Sequence, residues 1–384
     1  QLQLDSNFFI QGNWINDARD SIRIYGGRGS KIIFNDTSQQ IISGSSQTKF
    51  ENIVINNREG IKLNQTIHIT DTAYLVRGLV FTDTNIFIVN NSDTGAIVGY
   101  SDSTYVYGNL RRYVSNKTYN LPVGSNEYYE WMKIEIVSLA GLNYLDVKFN
   151  KDNSQTPPVP LTVNGALITE FLNYGYWTIA PNSGWTSVLY NVTVKSRGHT
   201  NGGGTPDMYA VISRFTPPGI WADNGVHSAG TQFFQGDDII AKRSNLVDFG
   251  DYIIGKAIED VYNQPLITNE LVNVGAKIRL SSNNLLYTKG NDANIWNIGG
   301  KINCGDNMTV NVNGDIYNKW SIINQTTGGI TVLMNMYNDT LSSYSQTTGT
   351  LIVGGDMRND SSNFVQGNGL LSVSGILENW HRGV

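Results

Sequence analysis

The sequence predicts an all-β protein: β-solenoid N- and C-terminal parts flanking an antiparallel β-sandwich. Three observations carry this reading. The chain is rich in Asn, Gly and Thr, with 40 glycines in 384 residues and only 15% charged residues. Asn, Gly and Thr are poor helix formers, whereas Thr, Tyr, Ile and Val favour strands. A motif recurs about every 20 residues near the C-terminus, and the middle of the chain carries longer, aromatic-rich strands.

The repeat is the most specific signal. VNGDIYN (312–318), MNMYN (334–338), GGDMRN (354–359) and SGILEN (374–379) align on Asn318, Asn338, Asn359 and Asn379, at steps of 20, 21 and 20 residues. Alternating apolar stretches precede them: MTVNV, ITVLM, GTLIV and LLSVS. Alternation with period two means strands with one face inward. A fixed period with short strands and Gly/Asn corners is the signature of a solenoid, whose coils stack at the strand spacing of about 4.8 Å. Asn at one position per coil has two compatible roles. It tolerates a left-handed corner, and its amide can bond to the next coil as an internal ladder.

The N-terminal part shows the same motif less regularly. NFFIQGNWIN (7–16) places Gly12 four residues before Asn16, so Asn16 joins the expected ladder. Short apolar runs continue through KIIFND, QQIISG, FENIVINN and IKLNQTIHIT to about residue 100. The reading therefore places solenoid at 1–104, sandwich at 105–258, and solenoid with coils of about 20 residues at 259–384. The sandwich strands are EYYEWMKIEIVSL (127–139), LNYLDVKFN (142–150), YGYWTIAP (174–181), TSVLYNVTVKS (186–196), MYAVISRF (208–215) and FGDYIIGKA (249–257), with TPPVP and HTNGGGTPD as turns.

Parts of residues 30–258 resemble a module of secreted and cell-surface proteins of Bacteroidetes. The resemblance rests on the solenoid stretch 39–70, on LPVG (121–124) within GNLRRYV…KTYNLPVGSNEYYEWMKIEI, on YGYWTIAP, and on GDYIIG (250–255) in the last sandwich strand. It implies an extracellular, bacterial cell-surface location and an adhesive or fibrous role rather than a reaction. The C-terminal sorting domain usual for that export route is not seen, which leaves the route open. Asp–Ser/Thr followed by a small or apolar residue, at DSI, DTA, DST and DTL, looks like the O-glycosylation motif of the same bacteria. Its acceptors would be Ser21, Thr72, Ser103 and Thr340.

Composition excludes several classes. The net charge of −5 and the lack of a basic stripe argue against nucleic acid. No apolar run approaches the ~18 residues of a membrane span. Cys304 is the single cysteine, so there is no internal disulfide and no cysteine zinc cluster. A chain opening on Gln1 without a basic–apolar leader reads as a mature secreted chain.

No catalytic constellation emerges, and the expectation is a protein that is not an enzyme. His68, His199, His227 and His381 stand far apart in no ligand spacing. GGRG (26–29) has neither a Walker lysine nor a βαβ setting. Solenoid polysaccharide lyases and hydrolases use clustered carboxylates on an outer face. Asp71, Asp83, Asp93 and the adjacent Asp237–Asp238 are the candidates here. All read equally as turn formers, and neighbours on a strand face opposite ways. Oxygen-rich turns at 235–238 and 289–293 are candidate Ca²⁺ loops; no other cofactor is expected. Trp177 and Trp221 are the candidate stacking platform for surface glycans, against the commoner role of core packing.

The remaining feature is the pair of solenoid ends. Phe8, Phe9, Ile10, Trp14 and Ile15 at one end, and Leu371, Val373, Ile376, Leu377 and Trp380 at the other, read as uncapped coil edges. Two complementary ends on one chain make a heterologous contact, and such a contact that does not close builds a filament. A second copy joined after Val384 would place its Asn16 21 residues after Asn379, in step with the repeat. The expected partner is therefore another copy of the chain, head to tail. A glycan-binding adhesin module is the alternative.

Overall fold

The computed structural model describes all residues except 1, 5, 19–21, 27–28, 165, 216–218, 228–229, 259, 263–265, 269, 281–284, 289–292, 306–307 and 381–384. The fold is all-β. Helical structure amounts to short 3₁₀ turns, such as Thr94–Ala96 and Pro206–Met208. No described helix is long and apolar enough to cross a membrane.

The C-terminal part is a solenoid with three strands per coil, stacked into three parallel sheets of six strands. One coil runs Ile322–Gln325, Gly329–Val332, Met336–Asp339; the next runs Ser343–Gln346, Thr350–Val353, Met357–Asp360. Strands of four residues put two side chains inward and two outward. The inward ones, including Ile323, Ile330, Val332, Met336, Tyr344, Leu351, Val353 and Met357, form one continuous core. At the corner after the asparagine strand the chain turns left-handed. Glycine takes that turn in the first coils, Gly275 and Gly299 with φ of 72° and 66°, as expected of such corners; in the later coils it falls on Trp320, Leu341 and Ser361, with φ of 51°, 57° and 53°.

The N-terminal part is also a three-sided parallel solenoid. Phe8–Ile10 stacks on Ile32–Phe34, and Trp14–Ile15 on Gln40–Ser43. Its coils are less even, and several strands run through a corner. Thr48–Asn56 pairs Phe50 with Ile24 on one side of a bend and Ile53 with Ile32 on the other. Asp71 lies within the long strand Ile67–Arg77, and Asp83, with φ of 48°, within Val80–Val89. Both sit where a strand bends instead of in loops.

The two architectures meet in one strand. Val106–Tyr113 stacks in parallel on the solenoid strand Val80–Val89 and pairs antiparallel with Tyr144–Lys151 on its other side. From there the sheet continues through Gly175–Pro181, Gly250–Ala257 and Tyr209–Phe215. A second antiparallel sheet contains Thr118–Leu121, Met132–Ala140, Ser187–Ser196 and Asp238–Leu246. Leu145, Val147, Trp177 and Ile179 of the first sheet share a core with Ile134, Tyr190, Val192 and Val194 of the second. That core is continuous with Phe34, Phe50 and Leu75 of the solenoid. Arg112, almost wholly buried, adds a polar tie by donating to the carbonyls of Asn91 and Asp93.

Candidate functional site

The asparagines of the repeat stack in register on one sheet of the C-terminal solenoid. Asn318 Nδ2 donates to Asn338 Oδ1 at 2.7 Å, Asn338 to Asn359 at 2.8 Å, and Asn359 to Asn379 at 3.0 Å. Two residues that the repeat did not reveal extend the row: Asn273 donates to Asn297 at 2.7 Å, and Asn297 to Asn318 at 2.8 Å. Every amide points the same way along the solenoid. Ser321 and Ser362 brace it, the single hydroxyl hydrogen of each shared between the Oδ1 of Asn318 or Asn359 and a carbonyl of the preceding coil.

The other two corners carry ladders of their own. Gln325 and Gln346 fill matching buried positions, and each donates across its corner and to the next coil, at Thr350 O and Leu370 O. At the third corner the side-chain oxygens of Asn294, Asp315, Asn335 and Asp356 each accept the backbone N–H one coil on, at 2.7–2.8 Å. Outside, Trp296, Tyr317 and Tyr337 stack face to face, with centroids 3.9 and 5.0 Å apart. Cys304 sits at the matching Gln position one coil earlier, and burial raises its thiol to about 12.

Asn16 stands outside the ladder. Its amide donates to Ser46 O, Gln47 O and Thr48 Oγ1, closing a loop of its own part of the chain. The expected glycan platform is also corrected. Trp177 is 1% exposed, with its indole donating to Glu130 O, and Trp221 is 6% exposed, packed on Phe171. Neither ring offers a face to a ligand.

At the outer coils the register separates stacking residues from lateral ones. Leu377 pairs with buried Met357, and Leu371 and Val373 with buried Leu351 and Val353, so all three point inward. Phe8 occupies the matching inward position above Ile32. Leu377 is nevertheless 58% exposed and Phe8 48%. Ile10 and Trp14 are already covered by the adjoining coil, Trp14 against Phe50. Phe9, Ile15 and Trp380 take the outward positions beside Ile33, Ser43 and Asp360, and Ile376 sits at a corner.

Of the proposed glycosylation acceptors, Ser103 is exposed, Thr72 and Thr340 are half-buried, and Ser21 lies outside the described residues. Gln1, His381, Gly27–Arg28 of GGRG and residues 289–292 of one Ca²⁺ candidate also lie outside them. Among the described residues, no group of three or more His, Cys, Asp or Glu side chains is placed to hold a metal ion.

The sandwich carries a groove of about 560 Å³ lined by Tyr128, Arg197, His199, Phe234, Asp237 and Asp238, among others. Asp237 is not a strand neighbour of Asp238: Gly236–Asp237 is the two-residue turn of a hairpin in which Gln235 pairs with Asp238, and both residues line the groove, Asp237 exposed and Asp238 buried. Lys195 lies 3.2 Å from Asp102 and 3.3 Å from Asp238, and Arg197 lies 2.7 Å from Asp102. Beneath them Glu130 is wholly buried and accepts the N–H groups of Arg197 and Gly198 at 2.9 and 2.8 Å. Burial pushes its carboxyl up to about 7, against those hydrogen bonds. Burial lowers the His199 imidazole.

No protein-family model, curated protein or solved structure matches this chain.

Proposed function

We propose that the chain is an extracellular structural subunit whose solenoid continues from one copy into the next, head to tail, forming a filament on a bacterial surface. One observation carries the reading. Among the described residues, the strands Asn363–Gln366, Leu370–Val373 and Leu377–Trp380 are each the outermost of their sheet, and they present inward-type side chains such as Leu377 to solvent. Phe8 does the same on the opposite edge. Within each solenoid the coils stack in parallel, so the proposed joint takes the Phe8 edge of one copy as the next parallel coil on the Leu377–Trp380 edge of another.

The energetics favour covering these edges. About ten backbone hydrogen bonds at ~0.5–1.5 kcal/mol each, plus burial of the inward apolar groups, stand against an association cost of about 4–15 kcal/mol. The surface location is supported by the Bacteroidetes-like stretches and by the exposed Ser103 in its DST motif.

The test uses one block at each edge. Wild-type protein gives unbranched fibres by negative-stain electron microscopy, whereas Phe8→Lys and Leu377→Lys each stay unpolymerised. Mixed one to one, the two variants form dimers and nothing longer, since each supplies the edge the other lacks. Fibres from either variant alone, or no assembly of the wild type at matched concentration, would refute the proposal.

A further inference from the structure

Lys195 and Asp238 form an ion pair that water scarcely reaches. Lys195 is 3% exposed and Asp238 7%, and Lys195 Nζ stands 3.3 Å from Asp238 Oδ2. The sheet fixes this meeting. Lys195 pairs with Ile240, two residues beyond Asp238, so the two side chains are diagonal neighbours on one face of antiparallel strands. The ring of Tyr129, stacked on buried Tyr105, covers the ammonium from 4.9 Å. An ion pair held away from water loses hydration that its charges need, and burial favours the neutral forms, amine and carboxylic acid.

Two further groups stand where a reaction between that amine and that acid needs them. Asp102 Oδ1 accepts a hydrogen bond from Lys195 Nζ at 3.2 Å. Arg197 Nε lies 3.4 Å from Asp238 Oδ1, an oxygen that no hydrogen bond satisfies. Arg197 is itself anchored: its Nη1 donates to Asp102 Oδ2 at 2.7 Å, and its backbone N–H donates to buried Glu130 at 2.9 Å. A nucleophile, a proton acceptor and a positive charge beside the carbonyl oxygen are therefore preset. Holding reacting groups in contact replaces the encounter that amide formation in water lacks, and a fixed cation stabilises the oxyanion as it develops.

We propose that Lys195 and Asp238 condense into an intramolecular isopeptide bond. One ammonium proton passes to Asp238 Oδ2. Lys195 Nζ then attacks Cγ, and negative charge gathers on Oδ1 beside Arg197. Asp102 takes a second proton from Nζ and returns it to Oδ2, which leaves as water when the Cγ–Oδ2 bond breaks. One ammonium and one carboxylate become one amide and one water, with no redox change. The bond ties the strands Ser187–Ser196 and Asp238–Leu246 together covalently. The proposal does not depend on filament formation.

Mass spectrometry of the full chain tests it. The folded wild type is one water lighter than its sequence requires, and a tryptic digest yields a branched peptide in which Lys195 is joined to Asp238. Asp102 lies in an exposed turn, so Asp102→Asn removes the proton acceptor without disturbing the core. It slows appearance of the branched peptide about a hundredfold in chains followed from cell-free synthesis, the effect expected on losing a positioned base. Lys195 and Asp238 recovered from the folded wild type in separate linear peptides overturn the proposal, whatever the intact mass. So does a branched peptide that forms as fast in Asp102→Asn as in the wild type.

Discussion

Replacing Asn338 by alanine tests whether the asparagine ladder holds the C-terminal coils together. The side chain is fully buried and makes three hydrogen bonds: it accepts from Asn318 at 2.7 Å and donates to Asn359 Oδ1 at 2.8 Å and Asn363 O at 3.0 Å. At about 1 kcal/mol net for each, the loss is about 3 kcal/mol. Two of the abandoned partners keep a second bond, Asn318 Nδ2 to Ser343 O and Asn359 Oδ1 from Ser362 Oγ, which holds the cost to that range. Asn379 is exposed and contributes one ladder bond at 3.0 Å, so Asn379→Ala in the unassembled protein costs below about 1 kcal/mol. Cys304 supplies the assay, because its buried thiol with a pKa raised to about 12 reacts only when the coils stacked on it open. Opening that precedes labelling converts 3 kcal/mol into at least about a hundredfold faster reaction with a thiol reagent, against less than about fivefold for Asn379→Ala. Equal acceleration in the two variants, or less than about threefold in Asn338→Ala, would show that the ladder is incidental to apolar stacking.

Other expectations follow from single residues. Glu130 sits at about 7 instead of 4.5, so the folded protein retains a proton that the unfolded chain releases, and stability falls as pH rises through that window. Burial holds His227 at about 4 instead of 6.5, so its contribution rises with pH from 4 to 6.5 and opposes the first slope. Glu130→Gln therefore unmasks the rising limb, a difference from wild type of about 3 kcal/mol between pH 4.5 and 7 in denaturant titrations; parallel profiles would refute the assignment. Leu341, 81% exposed at φ 57°, carries left-handed strain without burial, so Leu341→Asn raises stability by about 0.5–1 kcal/mol. A lower unfolding midpoint would mean that Leu341 has a contact in its favour.

The C-terminal coils were legible because inward asparagine and alternating apolar residues repeat with almost constant spacing. Asn273 escaped because the coil between it and Asn297 takes 24 residues, which breaks the count; Asn297 lies 21 residues before Asn318, in step with the repeat, and was within reach of the same count. The glutamine corners had a visible signal, QTTG at 325–328 and again at 346–349, but an exposed-looking polar tetrad reads as a loop until it is seen to turn inward. Asn16 shows the limit of local likeness. It matches the repeat in pattern, but Trp14 stacks on Ile42, 28 residues on, and the corner Ser46–Thr48 that follows takes its amide. Alternation located the main sandwich strands yet not which ring faces solvent, since Trp177 points between the sheets. The groove was beyond reach from sequence. Its parts come from residues 128, 197–203 and 234–239, and only the antiparallel pairing of distant strands assembles them.

The strand Val106–Tyr113 has a mechanical consequence. Since one length of backbone is both a solenoid rung and a sandwich edge, no linker lies between them to act as a swivel. Rotating one against the other means tearing a sheet, so bending and tension pass across the joint through backbone hydrogen bonds. A fibre built from such subunits would take its compliance from elsewhere along its length.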